Sequence, residues 1–193
     1  AEKSTSYNLG ANWKPHNNLN VEGGLFYHYI KDQINAIPIA TGTGISQIYT
    51  YQNLPKTVNK GLELNVRWDI GKDLSLTTGY QYLLSKDLSV EDSIRRGGWP
   101  YNQNLHDPST GQSFTPKPSD YWGIVNRSRH MLNASIFYRF VPWNLNISLR
   151  ANYRGKYAFT DYNNNGFIDR FDTFVPHHLL LNTHFDKGFY QDR

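Results

Sequence analysis

The chain has no cysteine among its 193 residues, which removes disulfide frameworks, thiolate metal centres and thiol nucleophiles together. Long apolar runs are missing too. No stretch approaches the roughly eighteen consecutive apolar residues that a membrane-crossing helix requires, and the mean hydropathy is −0.65. The 20 basic and 16 acidic residues are interspersed, for a net charge of +4, so no block of Lys and Arg proposes a nucleic-acid surface. There is no G-x-S-x-G elbow, Walker loop or H-E-x-x-H pair. Ser128 and His130 sit beside Arg127 and Arg129 with nothing that marks a triad. The expectation is therefore no enzyme and no catalytic cofactor. Aromatic residues, by contrast, are abundant: 14 Tyr, 10 Phe and 5 Trp. A chain this rich in large apolar side chains can offset its ordering entropy, which argues against disorder. Its polar opening, 1–6, does not read as a signal peptide, and the pattern that follows suggests numbering that begins inside a longer chain.

That pattern is period two. Leu62, Leu64, Val66, Trp68 and Ile70 alternate with Glu63, Asn65, Arg67 and Asp69. After a turn at 71–73 the alternation resumes with Leu74, Leu76, Thr78, Tyr80, Tyr82 and Leu84, as in an antiparallel hairpin. A second pair runs from His130 to Phe140, turns at 141–144 and returns from Leu145 to Tyr153. A third begins at Tyr7, turns at 15–18 and continues to Ile34, and a last strand covers about 177–185. No segment reads as an amphipathic helix.

Short connections alternate with long ones, at about 35–56, 87–123 and 161–176. Long strands with tight turns at one end and long loops at the other are the pattern of an outer-membrane barrel. A strand of ten or so residues tilted by about 45° crosses the hydrocarbon layer. Trp13, Trp68 and Trp143 lie near short turns, whereas Tyr27, Tyr29, Tyr80, Tyr82, Tyr153 and Tyr157 lie toward the long loops. Two such belts suit interfacial girdles. The expected fold is all-β: an antiparallel up-and-down transmembrane segment of about seven strands over 1–193. An odd open set leaves edge strands with unpaired N–H and C=O groups in lipid, so a larger barrel is implied.

The run Tyr49-Thr50-Tyr51-Gln52-Asn53-Leu54, followed by Lys60-Gly61-Leu62-Glu63-Leu64, resembles a segment in the C-terminal half of TonB-dependent outer-membrane receptors. Glu2-Lys3-Ser4, Gly79-Tyr80-x-Tyr82 and Arg129-His130-x-Leu132-Asn133 are similar to that family as well. The resemblance implies a barrel of about 22 strands around a plug. It also implies TonB-dependent import of a scarce ligand (siderophore, haem, cobalamin or glycan), with outer-membrane lipid, TonB and a small extracellular ligand as partners, in a Gram-negative outer membrane. No plug, TonB box or terminal aromatic strand is present in the sequence, so the chain reads as a fragment of such a receptor. Gly61 is expected near a strand start where the chain bends, and Glu63 is expected to face the lumen.

The sharpest chemical motif spans 161–172. Counting from Asp161, oxygen-bearing side chains fall at Asp161, Asn163, Asn165, Asp169 and Asp172, with Gly166 at position six and the Phe167 carbonyl at seven. This is the spacing of an EF-hand loop, although Asp172 stands where a bidentate Glu is usual. The expectation is weak Ca²⁺ binding; the competing reading is an Asn/Gly-rich turn that caps its own backbone. Arg95, Arg96, Trp99, Tyr121 and Trp122, in the longest loop, are candidates to contact an anionic or ring-bearing ligand. His106, His130, His177 and His178 lie in separate segments and share no ligand spacing. The alternative to the receptor is a secreted β-sandwich that binds carbohydrate with a calcium-stabilised loop. A barrel pore without active transport is a further reading.

Overall fold

The computed structural model describes residues 2–41, 47–99, 101, 104–106 and 110–189, with backbone only at 35, 37–41, 47–49 and 52. Its strands are β1 (Lys3–His16), β2 (Leu19–Thr41), β3 (Gln47–Ile70), β4 (Leu74–Asp87), β5 (Leu105–His106), β6 (Ser113–Phe114), β7 (His130–Phe140), β8 (Leu145–Arg154), β9 (Tyr157–Thr160), β10 (Thr173–Val175) and β11 (His178–Lys187). One helix, α1 (Leu88–Arg96), follows β4, and a 3-10 turn, Val141–Trp143, joins β7 to β8.

Seven strands form one antiparallel sheet in the order β1-β2-β3-β4-β7-β8-β11. Because cross-strand partners share a face, the register carries the alternation across the whole sheet. One row reads Trp13, Val21, Val66, Thr78, Ala134, Ala151, Leu181. The neighbouring row, on the opposite face, reads Asn12, Glu22, Asn65, Gly79, Asn133, Asn152, Leu180. A one-residue slip in any strand would place its apolar set among these amides, so the pattern itself pins the register.

Among the described residues, no second large layer covers the apolar face. The other two sheets have two strands each, and Leu62 and Leu149 are both 37% exposed. This is not the dry interior of a sandwich. The buried core sits instead at the long-loop end, around Ile94, Tyr101, Tyr121 and Phe167. At the other end Trp13, Trp68 and Trp143 are all exposed. Trp68 is paired with Leu19 and Leu76, and the Trp143 ring meets Phe140 edge-on at 5.3 Å.

Three expectations are corrected. A helix is present: Asp87 caps it by accepting from the Ser89 N–H at 2.8 Å, and Gly97 closes it at φ 63°. Its nine residues are too few to display a helical period, but the Asp cap and the Gly-Gly stop at 97–98 were available signals. Most of the connection at 35–56 is strand, since β2 runs to Thr41 and β3 starts at Gln47. Beyond the apolar band nothing forces strict alternation, and Pro38 and adjoining apolar residues hide the strand in the sequence. Gly61 lies well inside β3, paired with Phe26 and Leu83. A Cβ there would run into the carbonyl oxygen of Tyr82 and come within 2.9 Å of the Phe26 ring, so close strand packing, not a bend, requires glycine. The end of the chain, 190–193, where no terminal aromatic strand was read, is outside the described residues.

With Leu64 at mid-strand on the apolar face, Leu64→Arg in the whole protein should cost about 2–4 kcal/mol in a bilayer unfolding measurement. Asn65→Lys, one residue away on the polar face, should change stability by under about 1 kcal/mol.

Candidate functional site

Each long connection alone is too short to bury a core, and the second and third solve this by packing together. The Phe167 ring, from the third, meets Tyr101 edge-on at 5.5 Å and Tyr121 at 6.3 Å, both from the second. Val90 and Ile94, one helical turn apart on α1, pack against the same cluster with Leu105 and Phe114. Backbone bonds stitch the two loops: the Trp122 N–H donates to the Ile168 carbonyl and the Asn126 N–H to the Ala158 carbonyl, both at 2.8 Å. The Asp87 N–H donates to the Tyr121 hydroxyl at 3.0 Å. Burial raises the pKa of that phenol.

A cationic and aromatic seam runs beneath this platform. The Arg129 guanidinium lies 3.8 Å from the centre of the Trp122 ring and donates to the Trp122 carbonyl at 2.8 Å. Arg154 stacks on Tyr157 at 3.8 Å while donating to the Ser128 hydroxyl and the Asn126 carbonyl. Lys156 sits 4.0 Å from the Phe174 ring, which in turn meets Trp122 edge-on. Stacked cations of this kind stiffen the loop bases. None was anticipated as a group, although Trp122 with Arg129 and Arg154 with Tyr157 were visible as interleaved aromatic and basic residues.

The five loop residues proposed for ligand contact separate. Tyr121, 4% exposed, belongs to the core, and Trp122 is held between Arg129 and Phe174. Arg95, Arg96 and Trp99 face solvent, Trp99 at 78% exposure. Arg95 pairs with Asp92 at 3.1 Å and Arg96 with the same carboxylate at 3.9 Å. Arg95 also approaches Glu91 at 3.7 Å, so the end of the helix presents two exposed guanidinium groups paired with acids of the same helix, with an aromatic ring just past its end.

The six positions of the 161–172 motif come together in one loop. Asp161 accepts from the N–H groups of Asn165 and Gly166, at 3.2 and 2.8 Å. The Asn163 side chain accepts from the Asn165 N–H, and the Asn165 side chain from the Phe167 N–H. Asp169 accepts from both side-chain amides, and Asp172 accepts from the N–H groups of Tyr162 and Asp169. Burial pushes the Asp172 carboxyl up to about 6 and also raises Asp161, against the N–H bonds that favour their charged forms. Among the described residues, no group of three or more His, Asp and Glu is placed to hold a metal ion. The Phe167 ring, unforeseen as a packing residue, anchors this loop in the core.

The histidines remain apart. His106 bonds Ser113, His130 bonds the Tyr80 hydroxyl at 2.8 Å, and His178 approaches the Pro176 carbonyl at 3.5 Å. His177 lies beside the Tyr153 ring. Ser128 donates to the Gly155 carbonyl. Lower on the polar face, Glu63 accepts from Gln81 at 2.7 Å at the edge of a trough of about 570 Å³ that also takes in Asn65, Asn133, Asn152 and Arg154.

Residues 1–189 match the family described as TonB dependent receptor-like, beta-barrel. The chain belongs to that family. Its members are outer-membrane proteins of Gram-negative bacteria. Among solved structures, this receptor segment is similar to a mutant of the ferric enterobactin receptor PfeA from Pseudomonas aeruginosa, at 16% identity and a TM-score of 0.58, covering 98% of this chain and 24% of that one. The FrpB iron transporter from Neisseria meningitidis gives 18% identity and 0.54, with 97% and 24% covered. The ferric-catecholate import receptor Fiu from E. coli K12 gives 14% identity and 0.59, with 98% and 22% covered. The chain thus spans about a quarter of the length of these receptors. No curated protein matches it.

Phe167→Ala in the whole receptor should remove the contact that joins the two loops, at a local cost of about 3–5 kcal/mol. Hydrogen exchange should then rise in both 88–128 and 157–175, while β3 and β4 below stay protected.

Proposed function

We propose that the receptor containing this segment imports a scarce small ligand across the outer membrane by TonB-dependent transport, and that the loop platform forms part of its ligand-facing surface. The observation that carries the reading is the placement of one packed aromatic platform at the long-loop end of strands whose alternate residues are apolar. Loops held this way on a rigid sheet are suited to recognition. Siderophore, haem, cobalamin and glycan all fit the resemblance seen in the sequence. A ferric siderophore is the first to test, because the similar structures carry iron and siderophore receptor names. The exposed guanidinium groups of Arg95 and Arg96, with Trp99 nearby, suit an anionic ligand bearing rings.

The test is binding and iron uptake by the intact receptor in its own outer membrane under iron limitation, with a ferric catecholate as probe. Replacing Arg95, Arg96 and Trp99 together by Ala should weaken binding at least about tenfold and leave the barrel folded. Unchanged uptake after deletion of the receptor defeats the transport reading for that ligand.

Calcium at 161–172 belongs to the same proposal, as a structural ion. What supports this reading is the spacing of Asp161, Asn163, Asn165, Asp169 and Asp172 in the sequence; to take the ion, the loop has to exchange the hydrogen bonds these side chains now make to one another and to its backbone. Added Ca²⁺, at roughly 10⁻⁴ to 10⁻³ M, should protect this loop of the whole receptor from protease, and Asp161→Ala should abolish the effect. A loop that only caps itself is indifferent to the ion.

A further inference from the structure

Asn165 and Gly166 form the only Asn-Gly step in the sequence, and the loop at 161–172 holds both residues in place. Gly166 has φ 89°, a left-handed backbone that favours glycine. The Asn165 side chain spans the loop: its Nδ2 donates to Asp169 Oδ2 at 2.7 Å, and its Oδ1 accepts from the Phe167 N–H at 3.1 Å. The second of these bonds closes an Asx turn, which curls the side chain over the peptide joining 165 to 166. The Gly166 N–H in turn donates to Asp161 Oδ2 at 2.8 Å. Gly166 is exposed and Asn165 half-buried, so water reaches the step, whereas Phe167 and Asp169 beside it are buried.

These contacts supply the parts of an intramolecular acyl transfer. The Gly166 nitrogen is the nucleophile, and a carboxylate stands on its proton as a general base. The Asn165 side-chain carbonyl is the electrophile, and the Phe167 N–H on its oxygen stabilises the negative charge that develops during attack. An unfolded chain has to gather all of these groups at once, whereas the loop holds them together before the reaction starts. Asn163 provides an internal comparison. It too closes an Asx turn, accepting from the Asn165 N–H at 3.3 Å, but the residue after it is Asn164, whose Cβ crowds the approach of the nitrogen.

We propose that Asn165 is a self-modification site, its side-chain amide converted within the folded loop to a carboxylate through a succinimide formed with the Gly166 nitrogen. That nitrogen passes its proton to Asp161 and bonds to Cγ of Asn165. The Cγ–Nδ2 bond then breaks, and Nδ2 leaves as ammonia with the proton returned from Asp161. Water opens the ring at either carbonyl and leaves aspartate or isoaspartate at position 165, so water is the only co-reactant and ammonia the only loss. The reaction is independent of calcium and of what the receptor imports. Its product sets a new carboxylate against Asp169, which is 1% exposed and loses one of its two amide donors. The two charges repel in a poorly solvated place. Phe167, the ring that joins the second and third long connections, lies between them in the chain, so the platform loosens as the receptor ages.

The test uses the full-length receptor in detergent with EDTA present, which removes calcium as a variable. After incubation at neutral pH, tandem mass spectrometry of the tryptic peptide 157–170 reads the amide-to-acid mass gain at each Asn. Position 165 should convert on the order of tenfold faster in the folded receptor than in the same receptor held in denaturant, while 163 and 164 keep their amides. Asp161→Asn, which preserves the shape of the side chain, should bring the folded rate down to the denatured one. Asn165→Asp should raise hydrogen exchange in 157–175 as the aged parent does, with heat-modifiable migration reporting a folded barrel in every case. Slower conversion in the folded receptor overturns the proposal, because the loop then protects the step. An Asp161→Asn variant that converts like the parent overturns it too, and unchanged exchange in Asn165→Asp defeats the loosening that follows from it.

Discussion

In hydrocarbon no water is available to satisfy a backbone N–H or C=O, and the ladder of cross-strand hydrogen bonds is the one interaction on which everything else in this structure depends. It explains why the strands are long, why each is antiparallel to its neighbour in chain order, and why seven of them form a single sheet. The free edges of β1 and β11 are the exception. They bear exposed apolar side chains such as Leu9, Leu179 and Leu181, and the sheet is not closed within this chain. Closure requires further strands, in keeping with a segment about a quarter the length of the receptors it resembles.

Once the ladder sets the register, the side chains divide by solvent. Leucine, valine and tyrosine take one face, while amides, arginines and acids take the other, where Glu63 and Gln81 or Asn12 and Glu22 satisfy each other. A soluble domain would bury the apolar rows under a second layer. Among the described residues there is no such layer, and those most deeply packed, such as Thr57, Ala158 and Asp169, lie toward the long-loop end. The molecule therefore has its protein core at one end and an apolar belt along its wall. The loop core depends on a few rings: Phe167 joins Tyr101 and Tyr121, and the stacked Arg129 and Arg154 brace the chain where it re-enters the sheet.

Much of the wall was legible because period two is imposed residue by residue. Leu62 to Ile70 could be assigned to a face from spacing alone, and the turns at 71–73 and 141–144 followed from where the spacing broke. The regions that were misread share a physical cause. The outer ends of β2 and β3, and the short helix α1, stand beyond the apolar band, where one face is no longer constrained to be greasy. The candidate site was legible only in part. Trp99, Arg95 and Arg96 are exposed, whereas Tyr121 has a structural place in the core, and the importance of Phe167 as a ring was hidden behind its place in a calcium-like motif.

The amino-acid order alone determined an all-β chain with a greasy and a polar face, tight turns at one end and long loops at the other, since alternation and turn chemistry are local properties. The tertiary structure alone decided which residues from distant loops share a core and which side chains of different strands stand side by side. Those relations depend on cross-strand register and on loop packing, and neither is encoded within any single stretch of the chain.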